Sequence, residues 1–335
     1  MKKKLQGSFL LVFATLIWGS TFVAQSTGMD HIGPFTFLAI RNIMGAVFLF
    51  LLSFITDRFS ADGKSAKEKW LDPKLWKAAL LCGTPLFIAA GLQQMGIVST
   101  DPGKSGFLTA MYIVFVPIFG VFLKRKPSKW IPVSVVLGVV GLYFLSCVGV
   151  PSISTSDLLL VGCAIMYAIQ ILCVDLFGLE LDSVRLNCLC CPITFVLASI
   201  VTVFTETPTW EAVNGCWGAL LYAGILSSGI AFTLQMAGQK HVEPSTASLL
   251  MSLESVFAVL SGWIVLGDVL SLWESIGCIL IFVAIMLSQI PDKKKSKVYS
   301  VIFLAKKIIC ACTAPCESCA GISFMKQDRG ESSLV

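Results

Sequence analysis

EPSTASLLMSLESVFAVLSGWIVLGD, residues 243–268, is the stretch from which the rest of the chain is read. It is apolar over about 20 residues, enough at 1.5 Å rise per residue to cross a hydrocarbon core ~30 Å thick. Near its middle stands a carboxylate, Glu254. An acid at bilayer depth costs about 2.5–3.5 kcal/mol on insertion scales, so it is expected to face a partner or a water-filled cavity. The stretch therefore predicts a membrane helix whose inner face has work to do.

The remaining sequence repeats the apolar pattern. Of 335 residues, 56% are hydrophobic and 13% charged, about half the charged share of an ordinary soluble domain. Ten spans are expected, at 8–26, 34–55, 75–97, 104–123, 131–149, 157–176, 186–204, 215–236, 246–266 and 272–290. Each must be helical, because a lone spanning segment has to satisfy its own backbone hydrogen bonds. The fold class read from this is an all-α polytopic membrane protein. Met1-Lys2-Lys3-Lys4 leads into an apolar run without a small-residue cleavage site, so the first segment is read as a retained span rather than a signal peptide.

The net charge of +5 does not point to nucleic acid, because the basic residues sit in short clusters between the apolar segments. With the N-terminus placed in the cytoplasm, 23 of the 25 lysines and arginines fall on the inner side. Only Lys104 falls outside and Arg41 within a span. The positive-inside rule thus puts both termini in the cytoplasm, and the expected location is the plasma (cytoplasmic) membrane. Thirteen cysteines lie mostly inside apolar runs, where a free thiol acts as a small hydrophobe. No disulfide framework is inferred.

An internal repeat is visible when Asp101-Pro102 is laid on Glu243-Pro244. The apolar run from Leu108 then falls on that from Leu250, Tyr112 falls on Glu254 and Phe115 on Phe257. Likewise TLIWGSTF (15–22) resembles AIMYAIQI (164–171), with Trp18 over Tyr167. Five spans per copy is odd, so the second copy enters the membrane upside down. Two inverted five-helix repeats are expected, 1–149 and 150–290, followed by a basic, cysteine-containing tail, 291–335. Inverted repeats are a common plan of secondary transporters, whose substrate site lies near mid-membrane between the copies.

Several motifs together carry a resemblance: LIWGSTFVAQ (16–25), PFTFLAIRN (34–42), Gly106-Phe107 with Tyr112 and Val116-Pro117, and the 243–268 stretch itself. Over roughly 8–290 the chain resembles the EamA branch of the drug/metabolite transporter superfamily. The resemblance implies ten helices in two inverted repeats, a central cavity, and export or exchange of small metabolites, which in this family include amino acids, sugars, nucleotide derivatives and drugs. Two departures stand out. The ninth span of the family commonly reads Glu-Pro where this chain has Glu254-Ser255, which implies an absent or softer helix break. The glycine-acid pair that ends that span reads Gly267-Asp268.

The candidate substrate-binding residues are Trp18, Arg41, Tyr112, Tyr167, Gln170 and Glu254. Glu254 is the candidate for proton coupling or for holding a cationic group; its alternative is a structural acid bonded to a neighbouring helix. Arg41, roughly 10 Å deep at helical rise, suits a carboxylate or phosphate; alternatively it pairs within the protein or snorkels outward. Trp18, Tyr112 and Tyr167 lie far from the interfacial aromatic belts and point to a wet interior, although helix packing explains any one of them. Gln170 lies one turn from Tyr167 on the same face; Gln25, Gln93 and Gln94 are expected near outer helix ends and Gln235, like Gln170, deeper or toward the inner face, although an amide can also simply join helices. Asp175 and Asn187 are expected near the cytoplasmic interface and solvated. Pro85, Pro117 and Pro192 are expected to interrupt spans three, four and seven.

In the tail, Cys310, Cys312, Cys316 and Cys319 have a spacing that four converging thiolates would need for zinc, but lipid-exposed or unstructured cysteines are the simpler reading, so no metal or other cofactor is expected. The segment from Val298 suits a helix on the inner membrane surface.

No GxxxxGK[ST], HExxH or GxSxG motif occurs, and the two histidines, His31 and His241, fall in loops on opposite sides. That disfavours ATP-driven transport by this chain and an intramembrane enzyme; a channel or a non-transporting receptor is the alternative of another class. The expected partners are a small-molecule substrate of amino acid-like, sugar-like or drug-like type and the lipid bilayer. A homodimer is compatible with this reading.

Overall fold

The computed structural model describes residues 2–58, 65–100, 102–124, 127–146, 154–266 and 271–290. The tail and the Gly267-Asp268 pair lie outside the described residues. Everything described is helix or short connection. Ten apolar segments succeed one another: α1, Lys2–Met29; α2, Pro34–Arg58; α3, Pro73–Ile97; α4, in two pieces, Pro102–Ala110 and Tyr112–Phe122; α5, Ile131–Ser146. The second set comprises α6, Thr155–Cys173 with a π-helical end Val174–Gly178; α7, Ser183–Thr205; α8, Trp217–Leu221 running through π-turns Tyr222–Ala231 into Phe232–Gln239; α9, in two pieces, Pro244–Met251 and Leu253–Leu266; and α10, Leu272–Ser288. Eight of the ten are long and apolar enough to cross a membrane, while α5 and α10 are shorter apolar helices.

Helix starts are written in the sequence. Asp72 accepts from the Lys74 N–H ahead of Pro73, and Asp182 accepts from the Arg185 N–H. Ser154 with Asp157 and Ser271 with Glu274 form complete capping boxes for α6 and α10. Such side chains satisfy backbone donors that a helix end otherwise leaves bare. Large apolar side chains stay exposed on the outside, Phe50, Phe54, Val203 and Phe204 among them, as a lipid-facing surface requires.

The packing repeats between the two halves. Helix α1 packs on α8 and α9, and its counterpart α6 packs on α3 and α4; α2 packs on α8, and α7 on α3. Three counterpart pairs meet each other: α2 with α7, α4 with α9, and α5 with α10. In the α4–α9 crossing the first piece of each helix lies against the second piece of the other, an antiparallel arrangement.

The interruptions correct two expectations. Helices α3 and α7 run through Pro85 and Pro192, and the second piece of α4 runs through Pro117. The breaks fall instead at Met111 and Ser252, where α4 and α9 cross. No proline is needed for the break in α9: the Ser255 N–H turns back to the Ser252 carbonyl at 3.2 Å, one residue short of an α-helical bond. Ser255, standing where the family has proline, donates its hydroxyl to the Gly106 carbonyl of α4 at 2.9 Å. That bond ties the crossing together.

Both ends of the α2–α7 contact are latched. At one end Arg185, 2% exposed, holds both oxygens of Asp57 at 2.5 and 2.6 Å and lies over the Trp70 ring. At the other, the Glu206 carboxylate after α7 accepts the Phe35 and Thr36 N–H groups, each at 2.8 Å, and the Thr36 hydroxyl at 2.5 Å. A carboxylate there meets the positive end of α2. A Cβ on Gly33 would stand 2.2 Å from the Glu206 carboxyl carbon, so a side chain there would push this carboxylate off the start of α2.

Two substitutions test this packing. A Cβ on Gly19 would lie 2.5 Å from the Phe257 Cβ and 2.7 Å from the Glu254 carbonyl, whereas one on Gly218 would meet nothing within 4 Å. Gly19→Ala is expected to cost about 1–3 kcal/mol and lower the thermal midpoint of the purified protein; Gly218→Ala is expected to leave it unchanged or raise it. Asp57→Ala, which leaves buried Arg185 only the Asp182 carboxylate at 3.7 Å, is expected to cost about 3 kcal/mol, and the double replacement Asp57→Leu with Arg185→Met to regain most of it.

Candidate functional site

Seven helices line one small central pocket, whose empty space of about 480 Å³ includes solvent at its open side. Helix α1 contributes Trp18, Thr21, Phe22 and Gln25, spaced i, i+3, i+4 and i+7 and so on one face. Helix α6 contributes Tyr167, Gln170 and Ile171 by the same rule, and α9 contributes Met251 and Glu254. Arg41, Gln93 and Tyr112 come from α2, α3 and α4, and Ser227, Phe232 and Gln235 from α8. All six residues singled out from the sequence line this one cavity.

Glu254 is 5% exposed and opens the second piece of α9; its Oε1 accepts the Tyr112 hydroxyl at 3.0 Å. Tyr112 opens the second piece of α4. The two residues that the repeat superposes therefore touch each other.

Arg41 is 5% exposed and does not reach the surface. Its Nη1 donates to Gln25 Oε1 at 2.6 Å, Nη2 to Ser227 Oγ at 2.8 Å and Nε to Ser228 Oγ at 3.0 Å. All three acceptors are neutral, and among the described residues no carboxylate pairs with it. Adjacent serines both reach one guanidinium because they lie in the widened π-turns of α8, a geometry frequent at functional sites. Asn187, fully buried, holds those turns open by donating to the Ser228 and Gly229 carbonyls at 2.8 and 3.0 Å and to the Thr233 hydroxyl at 3.0 Å. The expectation that Asn187 and Asp175 are solvated is thereby corrected: Asp175 is also buried, at 6% exposure. Close approach of the backbones helps; Gly45 and Gly224 face each other where α2 meets α8, with no room for side chains.

Aromatic and amide groups complete the wall. Trp18 packs against Phe232 at 4.9 Å between ring centres. Tyr167 donates to Gln93 Oε1 at 3.3 Å, and Gln93 donates on to Thr109 at 3.4 Å. Gln235 donates to Gln170 Oε1 at 3.1 Å. Gln25, Gln93 and Gln235 thus belong to the site as well, Gln25 and Gln93 although their places along the spans put them near outer helix ends. Two signals in the sequence point to them: Gln25 shares the helical face of Trp18, and Gln235 stands at the same offset from Gln93 as Glu254 from Tyr112. No cluster of metal-ligating side chains occurs among the described residues.

Several proteins similar to this chain in sequence are named as transporters. A transporter from Archaeoglobus fulgidus, itself uncharacterized, is 28% identical over 291 residues, covering 85% of this chain and 86% of its own. The uncharacterized transporter YoaV of Bacillus subtilis is 25% identical over 83% of this chain and 94% of its own length. The threonine/homoserine exporter RhtA of Escherichia coli is 27% identical over 62% and 70%. A crystal structure of a protein superposes with a TM-score of 0.71 over 84% of this chain and 96% of its own, at 18% identity, which speaks to fold. The profile of the EamA-like transporter family matches twice, over residues 5–147 and again over 154–289. With both halves matched and its motifs lining one central cavity, the chain belongs to the EamA-like transporter family.

Proposed function

We propose that this transporter is a secondary carrier for small zwitterions of amino-acid type, working by alternating access and coupled to protons through Glu254. One observation carries the reading: a buried guanidinium and a buried carboxylate face the same cavity, and among the described residues each is bonded only to neutral groups. A substrate carboxylate at Arg41 would supply the missing anion in a charge-assisted bond, and a substrate ammonium at Glu254 the missing cation. When the ammonium arrives, Glu254 releases a proton, so one positive charge replaces another. On the empty return, a proton on Glu254 spares the membrane interior an unpaired anion, which is costly there. That RhtA exports threonine and homoserine supports the same substrate class. Export, or exchange of one metabolite for another, is the expected direction of use.

The carrier sits in the cytoplasmic membrane with both termini inside, an orientation supported by the 23 lysines and arginines on one side. A cysteine placed at exposed Lys67 is expected to react with an impermeant maleimide only after the membrane is opened. Labelling from outside intact cells would reverse the topology.

Counterflow in proteoliposomes tests the chemistry. Saturable, trans-stimulated uptake of labelled amino acids is the expected result, and flux without saturation or trans-stimulation would indicate a channel instead. Glu254→Gln is expected to exchange substrate at a rate independent of pH and to lose accumulation driven by a proton gradient; an unchanged pH profile removes Glu254 from the coupling. Arg41→Gln is expected to weaken zwitterion binding by about 2–3 kcal/mol, roughly 30- to 150-fold, with little effect on amines that lack the carboxylate.

A further inference from the structure

The cavity wall holds a feature that neither charge explains. Gln170 and Gln235 are 0% and 2% exposed, both line the cavity, and they are joined by a single bond, Gln235 Nε2 to Gln170 Oε1 at 3.1 Å. That bond uses one nitrogen and one oxygen. The Gln170 Nε2 and the Gln235 Oε1 find no partner among the described residues, and neither does the Trp18 Nε1 on the same wall. Exchanging nitrogen and oxygen in both amides leaves the count intact, because one amide nitrogen and one amide oxygen remain over in either assignment. A buried polar atom without a partner is costly, roughly 1–3 kcal/mol each. Simple helix joining would use both ends of such a pair, or leave the spare ends in water.

We infer that Gln170 and Gln235 form a specificity element for an uncharged hydrogen-bonding group on the substrate, a hydroxyl or a carboxamide, which gives and accepts one hydrogen bond at once. The inference rests on the zwitterion reading for the rest of the substrate, but it concerns a different part of the molecule. Arg41 and Glu254 recognise the charged ends that every amino acid shares and cannot tell one from another. Phe232 and Met251 supply apolar wall, which gives no preference for a hydroxyl over a methyl. A site that leaves buried amide atoms unpaired when the hydroxyl is missing discriminates far better than an apolar pocket does. The element therefore separates threonine from valine, which have the same shape and differ by hydroxyl against methyl.

Equilibrium binding of threonine and valine to the purified full chain in lipid nanodiscs tests this. The wild type is expected to bind threonine about tenfold or more tightly than valine. In the double variant Gln170→Met with Gln235→Met, the ratio is expected to fall to unity or below, whatever happens to the two affinities separately; an unchanged circular-dichroism spectrum and a monodisperse elution profile are the check on folding. If the double variant binds neither, the single variant Gln235→Met is read the same way and decides. Equal affinities in the wild type, or an undiminished ratio in the variants, overturn the amide element and leave the zwitterion reading standing. If Arg41→Gln leaves both affinities unchanged while the threonine preference persists, the zwitterion reading falls and the amide element stands. Binding of neither amino acid to the wild type overturns both.

Discussion

The contact between the Tyr112 hydroxyl and Glu254, 3.0 Å long at the crossing of α4 and α9, is the point on which the rest of the structure turns. It joins equivalent positions of two inverted repeats, so it lies where one half of the protein meets the other. Both residues open the second piece of an interrupted helix. A half-helix start presents bare N–H groups and a positive end, which favours an acid in the first turn, and Glu254 occupies one. Without the interruptions that carboxylate would face the cavity from mid-helix, with no such support.

The same constraint governs the positive charge. A direct Arg41–Glu254 salt bridge would be the simplest way to bury both groups, yet it would fill the cavity and offer a substrate nothing to bind. Burying an ion alone costs several kcal/mol even after relaxation. The three oxygens of Gln25, Ser227 and Ser228 recover part of that cost through charge-assisted bonds. What remains uncompensated is the net charge. Partners that satisfy hydrogen bonds without cancelling charge leave the electrostatic gain to be made when a ligand arrives.

Much of this was legible in the sequence, and the reasons differ by feature. The spans were readable because a membrane forces helix on any lone apolar segment. The equivalence of Tyr112 and Glu254 was readable from the repeat; that the two touch is seen in the structure, where inverted repeats bring equivalent positions to a common axis. Face and depth were less readable. Position along a span gives depth only for a straight, regular helix, and α8 passes through ten π-helical residues that rotate every later side chain on it. Asn187 was read as solvated because nothing in its own segment reveals that the π-turns of α8 cover it. The prolines misled in the opposite way: the helices run through them, while breaks arose at Met111 and Ser252, where two helices cross.

These irregularities suggest where a carrier of this design bends. Helices α2 and α7 are latched at both ends, by Arg185 with Asp57 and by Glu206 with the start of α2. Helices α5, α7 and α10 contribute nothing to the cavity wall. The breaks and π-turns lie in α4, α6, α8 and α9, all of which line it. An i→i+5 or i→i+3 turn gives up ideal hydrogen-bond geometry, so it resists bending less than the regular turns around it. On the proposed mechanism, the regular latched helices form the frame, and the cavity is opened to one side or the other by the four helices whose backbone already departs from the α-helix.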